Sequence, residues 1–327
     1  MSLKIVEPGY FSTLQDLGRP GFQKFGVPVS GPMDIFAYLS ANRLVGNEDR
    51  AAALEVGPGE VLVEALNDLL IAVCGAGFSL TVNGVGRPLW TSHQLNKGDL
   101  LQLVPSPGGT WVILSVAGGF SVEPVLGSRS TYLNGGLGGF NGRRLQADDI
   151  LPVIPNFQQH SHLAGQFLPV DNRPRYTDSV CVSVLPGPQE DHFPQQTLEC
   201  LFSSEYTVSL DSDRIGYRLI GPPLDHVQGA DILSEGIVMG AIQVPANRQP
   251  LIMMADSPTS GGYAKIGVVA RADLPLLAQC PPGIGRVRFT PVSLEEAHAR
   301  WIQIIRNLES IIRFDDNETT GWIGALQ

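Results

Sequence analysis

Three stretches of the chain gather side chains able to bind a ligand and move protons. The first runs from Gln15, Asp16 and Arg19 to Ser30 and Asp34. It mixes amide, carboxylate, guanidinium and hydroxyl groups in a glycine-rich frame that lets backbone approach a ligand. The second, Asp211 to Arg218, holds Asp213, Arg214 and Tyr217. Arg214 has the planar fork to clamp a substrate carboxylate through two parallel hydrogen bonds, or to pair with an aspartate and tie a turn. The third passes from Ser234 and Glu235 through Gln243 and Asp256 to Thr259, Tyr263 and Lys265. Asp256 follows an apolar run, which places it at a strand end. Gly261-Gly262 permits a tight turn, after which Tyr263 and Lys265 share one face of the next strand. A lysine beside apolar walls can have a lowered pKa and hydrogen-bond a carboxylate or carbonyl. The plainer alternative is a stretch that only forms a turn.

Other chemistries lack their motifs. No G-x-x-x-x-G-K-[ST] phosphate loop occurs. Cys74-Gly75-Ala76-Gly77 resembles half a dinucleotide fingerprint, but a strand pattern follows where a helix N-terminus is needed. No Met-Lys dipeptide offers a biotin attachment site, and no serine sits in a G-x-S-x-G elbow. His160 and His162 share a strand face in principle, without a neighbouring cysteine or carboxylate to complete a metal site. Asn134 to Gly142, followed by Arg143-Arg144, suits either a backbone nest for an anion or a flexible hairpin with solvated arginines.

The elements that must position these groups are mainly strands. From Val61 onward, short apolar runs recur at hairpin spacing: Val61–Leu66, Leu69–Cys74, Phe78–Val82, Val85–Leu89, Leu100–Val104 and Trp111–Ala117. Asn83-Gly84 between two of them is a strong hairpin signal. The pattern is a meander that closes into a barrel or sandwich. One helix is expected over Asp34–Val45, stopped by Gly46-Asn47. Pro155–Arg175 is polar, holds three prolines and reads as a linker between an N-terminal β-barrel domain (1–160) and a C-terminal barrel domain (175–327). Runs at Val180–Leu185, Tyr206–Leu210, Ile237–Val244, Leu251–Met254, Tyr263–Ala270 and Val287–Phe289 build the second domain. A last helix opens on a Ser293–Glu296 capping box. Its apolar stripe runs through Leu294, Ala297, Trp301, Ile304, Ile305, Leu308, Ile311 and Ile312, against its own barrel or a partner.

Arg19-Pro-Gly21-Phe22-x3-Gly26 recurs as Arg214-Ile-Gly216-Tyr217-x3-Gly221, one copy in each expected domain. The echo points to duplicated barrels, or to chance in a glycine-rich chain.

Among 327 residues, 32 acidic against 22 basic side chains give a formal net charge of −10 with no basic cluster, which argues against a nucleic-acid partner. Only 17% of residues are charged, below the usual quarter, so part of the surface is expected to face a partner chain. The longest mostly apolar run, Leu69–Leu80, is shorter than the roughly 20 residues of a membrane helix. Four scattered cysteines without a C-x-x-C pair, and no leader-like N-terminus, suggest a soluble cytoplasmic protein with buried thiols.

At these residues the chain resembles the KipA-like family, also known as the 5-oxoprolinase C subunit, allophanate hydrolase subunit 2 or the biotin-dependent carboxyltransferase A/B domain. The resemblance is carried by QDLGRPGFQKFGVPVSGPMD (15–34), ANRLVGN (41–47), VAGGF (116–120), VLGSRSTY (125–132), SDRIGYRLIGPPL (212–224), SEGIVMGAIQVP (234–245) and ADSPTSGGYAKIGVVARADLPLLAQCPPG (255–283). It implies two cyclophilin-like β-barrels. It also implies two partners, a KipI-like B subunit and a further A subunit, and ATP-dependent opening of 5-oxo-proline to glutamate by the assembly. Related modules move a carboxyl group from carboxybiotin, carried by another protein, to urea, and KipA itself antagonises a kinase inhibitor. Matched by position, the implied catalytic residues are Asp213, Glu235, Asp256 and Lys265. The implied substrate-binding residues are Gln15, Asp16, Arg19, Ser30, Asp34, Arg214, Tyr217, Ser234, Gln243, Thr259 and Tyr263. The chain departs from the family pattern at Ser260 and Ala264, where Thr and Pro are usual, and at Arg248, where Gly is usual.

Overall fold

The computed structural model describes residues 1–311. The first half contains β1 (Ser2–Pro8), β2 (Ser12–Gln15), α1 (Ile35–Leu44), β3 (Ala53–Val56), β4 (Val61–Ala65), β5 (Leu69–Gly75), β6 (Phe78–Val82), β7 (Val85–Arg87), β8 (Thr91–Leu95), β9 (Leu100–Pro105), β10 (Val112–Val116) and β11 (Ile150–Pro152). They form a six-stranded sheet in the order β11-β1-β4-β9-β6-β7 and a five-stranded sheet in the order β2-β3-β10-β5-β8. One apolar core, including Ile5, Val63 and Leu103 from the first sheet and Leu54, Ile71 and Leu114 from the second, fills the space between them.

This half is therefore two facing sheets and not the closed barrel expected from the sequence. The chain crosses between sheets at most turns: β4 lies in one, β5 in the other, β6 back in the first. Hairpin spacing in sequence is satisfied here by strands that face each other across the core instead of bonding side by side. The hairpin at Asn83-Gly84 does form, with Val82 opposite Val85 and both turn residues at positive φ. The five-stranded sheet is also covered on its outer face. Every residue of β5 is buried, because α1 packs there through Ala37, Ala41 and Leu44 against Leu70, Ala72 and Cys74. Asp34 caps α1, its side chain accepting from Ala37 N at 2.9 Å.

The second half contains α2 (Phe157–His160), β12 (Ser179–Pro186), α3 (Gln195–Ser203), β13 (Glu205–Val208), β14 (Gly216–Ile220), β15 (Asp231–Gly236), β16 (Ala241–Gln243), β17 (Leu251–Met253), β18 (Ser260–Tyr263), β19 (Lys265–Val269), α4 (Leu274–Ala278), β20 (Arg286–Pro291) and α5 (Leu294–Ile311). Seven of these strands close into a barrel in the order β12-β19-β16-β17-β14-β13-β20, and β15 with β18 forms a separate ribbon. The residues before it, Pro155–Arg175, do not hang free: Leu163 and Leu168 are buried in the α1 layer, and Ser92 N bonds Gln166 O at 2.8 Å. The arginine-glycine echo takes two different conformations. Gly216 and Tyr217 lie in β14, while Gly21 to Gly26 form an irregular turn with a 3-10 segment at Gln23–Phe25.

Two devices join the halves. The capping box of α5 forms, Ser293 N and Oγ bonding Glu296 Oε2. Trp301 and Ala297 are buried on the barrel side, while Leu308 enters the α1 layer. Leu294, expected on the apolar stripe, is exposed; Ile312 and the side chain of Ile311 lie outside the described residues. The second device is Gln279, just after α4. Its Oε1 accepts from Thr110 N (2.9 Å) and Trp111 N (3.0 Å), and its Nε2 donates to Trp111 O and Asp34 Oδ2. Among the described residues no helix is long and apolar enough to cross a membrane. Cys74 and Cys280 are buried, but Cys181 is exposed and Cys200 half-buried, so the thiols are not uniformly interior.

Replacing Gln279 by Leu keeps the volume and leaves two buried backbone N–H groups without acceptors. At about 1–3 kcal/mol per orphaned group, the variant should lose on the order of 2–5 kcal/mol in urea unfolding. An unchanged midpoint would show that the seam does not need this residue.

Candidate functional site

The centre of the molecule is a buried ion cluster. Asp213 Oδ1 accepts from Ile215 N (2.8 Å) and Gly216 N (3.2 Å), a local turn that starts β14 and sends the Arg214 side chain toward the first half. There Arg214 Nε bonds Asp256 Oδ2 at 2.8 Å, Nη2 bonds Asp256 Oδ1 at 3.1 Å and Gly31 O at 2.8 Å, and Nη1 bonds Glu55 Oε1. The second oxygen of Glu55 accepts from Met33 N at 2.7 Å. Arg214 is 4% exposed, Glu55 0% and Asp256 6%. Burial works against the charged guanidinium, but Asp256 and Glu55 together hold its pKa above the ordinary arginine value. Burial likewise pushes Glu55 up, with Arg214 pulling it back. The sequence suggested Arg214 as a clamp for a substrate carboxylate. In the fold its fork is already filled by protein carboxylates, and Asp256 serves as its partner.

The residues from the first stretch surround this cluster. Asp16 accepts from Gly18 N, Ser128 Oγ, Ser130 Oγ and Arg129 N, which makes it the organiser of two loops. Gln15 is buried, bonding Thr13 Oγ1 and Thr131 O. Arg19, 1% exposed, donates from Nη2 to Ser130 O, while its Nε and Nη1 find no partner. Burial lowers its pKa, opposed by Asp16 and Asp256. Ser30 has φ 60° and a buried hydroxyl without a partner. Asp34 is fully buried, with Tyr176 Oη (2.7 Å) and Gln279 Nε2 (2.9 Å) donating to Oδ2.

Two clefts flank the cluster. One, of ≈ 280 Å³, lies between the halves; Phe11, Trp111 and Tyr132 line it from the first, Asp213, Arg214 and Asp256 from the second. Phe11 meets Trp111 edge-on at 5.4 Å. Tyr217 lies beneath, buried, its hydroxyl bonding Ala278 O at 2.7 Å. The other cleft, of ≈ 720 Å³, is lined by Ser30, Met33, Met239, Thr259 and Trp301. Ala255 and Ser257 line the larger cleft and Asp256 the smaller, so the turn after β17, closed by Ser257 N bonding Met254 O at 3.1 Å, presents side chains to both.

The remaining residues assemble elsewhere. Lys265 begins β19, buried, its Nζ bonded to Glu235 Oε1 on the ribbon. Gln189 Nε2 donates to the same oxygen at 2.6 Å, and Gln189 Oε1 accepts from Lys265 N at 3.2 Å. The hydrogen bonds from Lys265 and then Gln189 lower the Glu235 pKa. Gln243 stands opposite Lys265 in the ladder, buried, with Nε2 unpartnered. Ser234 and Tyr263 are exposed on the ribbon. Neither Lys265 nor Glu235 lines either cleft, and Tyr263 does not continue into β19, because the ribbon ends before Ala264. Sequence reasoning missed Glu55, Gln189 and Gln279. Glu55 leaves a trace, a lone carboxylate inside the apolar run Ala53–Val56; Gln189 and Gln279 leave none.

Similarity to known proteins agrees with this architecture. The carboxyltransferase domain, subdomain A and B, matches residues 25–291. The chain belongs to that family. It is 38% identical over 298 residues to the 5-oxoprolinase C subunit of Escherichia coli K12, covering 90% of this chain and 93% of that protein. Urea amidolyase of Saccharomyces cerevisiae is 31% identical over 318 residues, but the chain spans only 17% of it. The crystal structure of the K. lactis urea amidolyase superimposes with a TM-score of 0.88 at 29% identity over 95% of this chain and 20% of that one. This member of the carboxyltransferase family is thus homologous, over nearly its whole length, to one component of a multi-subunit enzyme.

Two outcomes follow for this member of the family. Arg214→Met should leave two buried carboxylates unpaired and lower stability by about 3–5 kcal/mol in urea titration; a loss under about 1 kcal/mol would show that the cluster does not hold the halves together. Burial pushes the Asp34 carboxyl above the usual aspartate value, against hydrogen bonds from Ala37, Gln279 and Tyr176. A raised folded pKa makes its contribution complete below the unfolded value, about 3.9, and smaller as pH climbs through the folded one. Asp34→Asn should therefore lose more stability near about pH 3.5 than near about pH 7.5; the reverse order would contradict the assignment.

Proposed function

We propose that the chain is the C subunit of an ATP-dependent 5-oxoprolinase-type enzyme of the cytoplasm, working with a KipI-like B subunit and an A subunit. The observation that carries this reading is the match across 93% of the length of the E. coli 5-oxoprolinase C subunit, against 17% of a urea amidolyase. The smaller cleft suits the substrate: its aromatic walls fit a small planar ring, and polar groups from both halves converge on it. Opening 5-oxo-proline breaks the lactam C–N bond; water gives its hydroxyl to the carbonyl carbon and a proton to the nitrogen. Asp213 is the carboxylate in the cleft that is free to exchange that proton, and Arg214 with Asp256 holds the wall rigid. Glu235 and Lys265 form a second pair, under the ribbon, suited to an edge completed by a partner chain.

ATP would supply the driving force from elsewhere in the assembly. Cys74 to Gly77 joins β5 to β6, strand to strand, and offers no helix N-terminus to a phosphate. A second reading, transfer of a carboxyl group from carboxybiotin on another protein, is favoured by the carboxyltransferase-domain match and the fit to the K. lactis urea amidolyase.

Co-expression with the A and B subunits should give a complex that releases glutamate from 5-oxo-proline only when ATP is present, with no effect of avidin. Turnover of urea that avidin blocks would support the carboxyltransferase reading instead.

A further inference from the structure

Arg214 and Arg144 line the smaller cleft, and Arg143 precedes Arg144 in the chain. Arg214 is filled by Asp256, Glu55 and Gly31. Arg143 makes two parallel bonds to Asp149, at 2.7 and 2.8 Å. Arg144 differs. It lies over the Phe11 ring at 4.9 Å and donates one hydrogen bond, from Nη1 to Tyr10 O at 3.2 Å. Stacking fixes the plane of a guanidinium without using its N–H groups. Arg144 therefore lines the cleft as an oriented cation with most of its five donors open.

Asp213, from the other half, lines the same cleft. Its Oδ1 is fixed by two backbone N–H groups, and its Oδ2 accepts no hydrogen bond among the described residues. Among the ion pairs of the described residues none joins Arg144 to Asp213, although both line the same ≈ 280 Å³ space. A cleft lined by an oriented donor fork, an open carboxylate oxygen and aromatic rings is complementary to a particular ligand. That ligand is small and flat, carries a carboxylate, and offers an N–H. The volume lies at the low end of small-molecule sites, about 300 Å³.

We propose that Arg144 takes the carboxylate of a cyclic amide acid and Asp213 its ring N–H. This rests on the substrate reading above and gives it its specificity: the cleft selects amino-acid lactams over neutral lactams and over urea. The sequence offered Arg143-Arg144 only as a pair beside an anion nest or as solvated arginines, because the part that Arg144 plays depends on Phe11 and Asp213 arriving from remote parts of the chain.

The test compares 5-oxo-proline with 2-pyrrolidinone, the same ring without the carboxylate, in the assembled complex. Arg144→Ala should raise KM for 5-oxo-proline about 10–100-fold, the weight of a lost charge-assisted pair, with kcat nearly kept. Its turnover of 2-pyrrolidinone should not change, and Arg144→Lys should recover part of the loss. Asp213→Asn keeps the turn-forming oxygen and should weaken turnover of 5-oxo-proline. Equal KM values for parent and Arg144→Ala, in a complex that does turn over 5-oxo-proline, would overturn this inference and leave the place of the chain in the enzyme standing. Should the complex release no glutamate, the 5-oxoprolinase reading fails, and calorimetry of the purified chain with 5-oxo-proline decides the site. Binding that Arg144→Ala abolishes sustains it; no binding, or equal binding in both proteins, overturns it.

Discussion

The pairing of Arg214 with Asp256 and Glu55 is the constraint on which the rest of the molecule depends. Three charges share a buried space, and none is stable there alone. Glu55 comes from a strand of the first half, Arg214 and Asp256 from the barrel. The halves must therefore meet in one register, since a slip of one residue turns each side chain to the opposite face. The carbonyl of Gly31 joins the same guanidinium, which also fixes the loop leading from Arg19 to α1. Arg19 itself, buried with two unpartnered nitrogens, lies in the field of Asp16 and Asp256, so a second cation belongs to the same electrostatic unit.

The clefts are consequences of this seam. The cluster joins the halves, and a cleft lies on each side of it. The turn through Asp256 presents side chains to both. Gln279 and α5 reinforce the joint from other directions, the first by bonding backbone across it, the second by spanning from the barrel to the α1 layer. The result is a small aromatic cleft whose walls belong to different halves. A ligand there touches both, and its affinity is sensitive to their alignment.

Much of the architecture was legible in local pattern. The Asn83-Gly84 hairpin, the capped helix α1, the Ser293–Glu296 box and most apolar runs of the barrel form where their residues indicate. The error came in pairing. Short apolar runs at even spacing suit a meander and a two-layer crossover equally well, because both bury one face of each strand. The covering of the outer face of β5 by α1 also has no local signal beyond an unbroken apolar run. The arginine-glycine echo misled for a related reason: similar residues adopt a strand where β17 and β13 bond them and an irregular turn where no partner strand exists.

The sequence by itself determined the kind of chain this is: mainly strands, acidic, with its polar residues collected at Asp16–Asp34, Asp213–Tyr217 and Glu235–Lys265. Hydrophobic period, turn chemistry and capping act within a few residues, so they are visible in a linear text. Only the tertiary structure decided which of those groups face ligand and which face each other. Arg214 became a protein-bound cation because Glu55, 159 residues away, reaches it. Arg144 became the open one because Phe11 orients it while leaving its donors free. Whether a charge is buried and paired or presented to a cleft depends on the low-dielectric surroundings built by distant segments, and no local spacing carries that information.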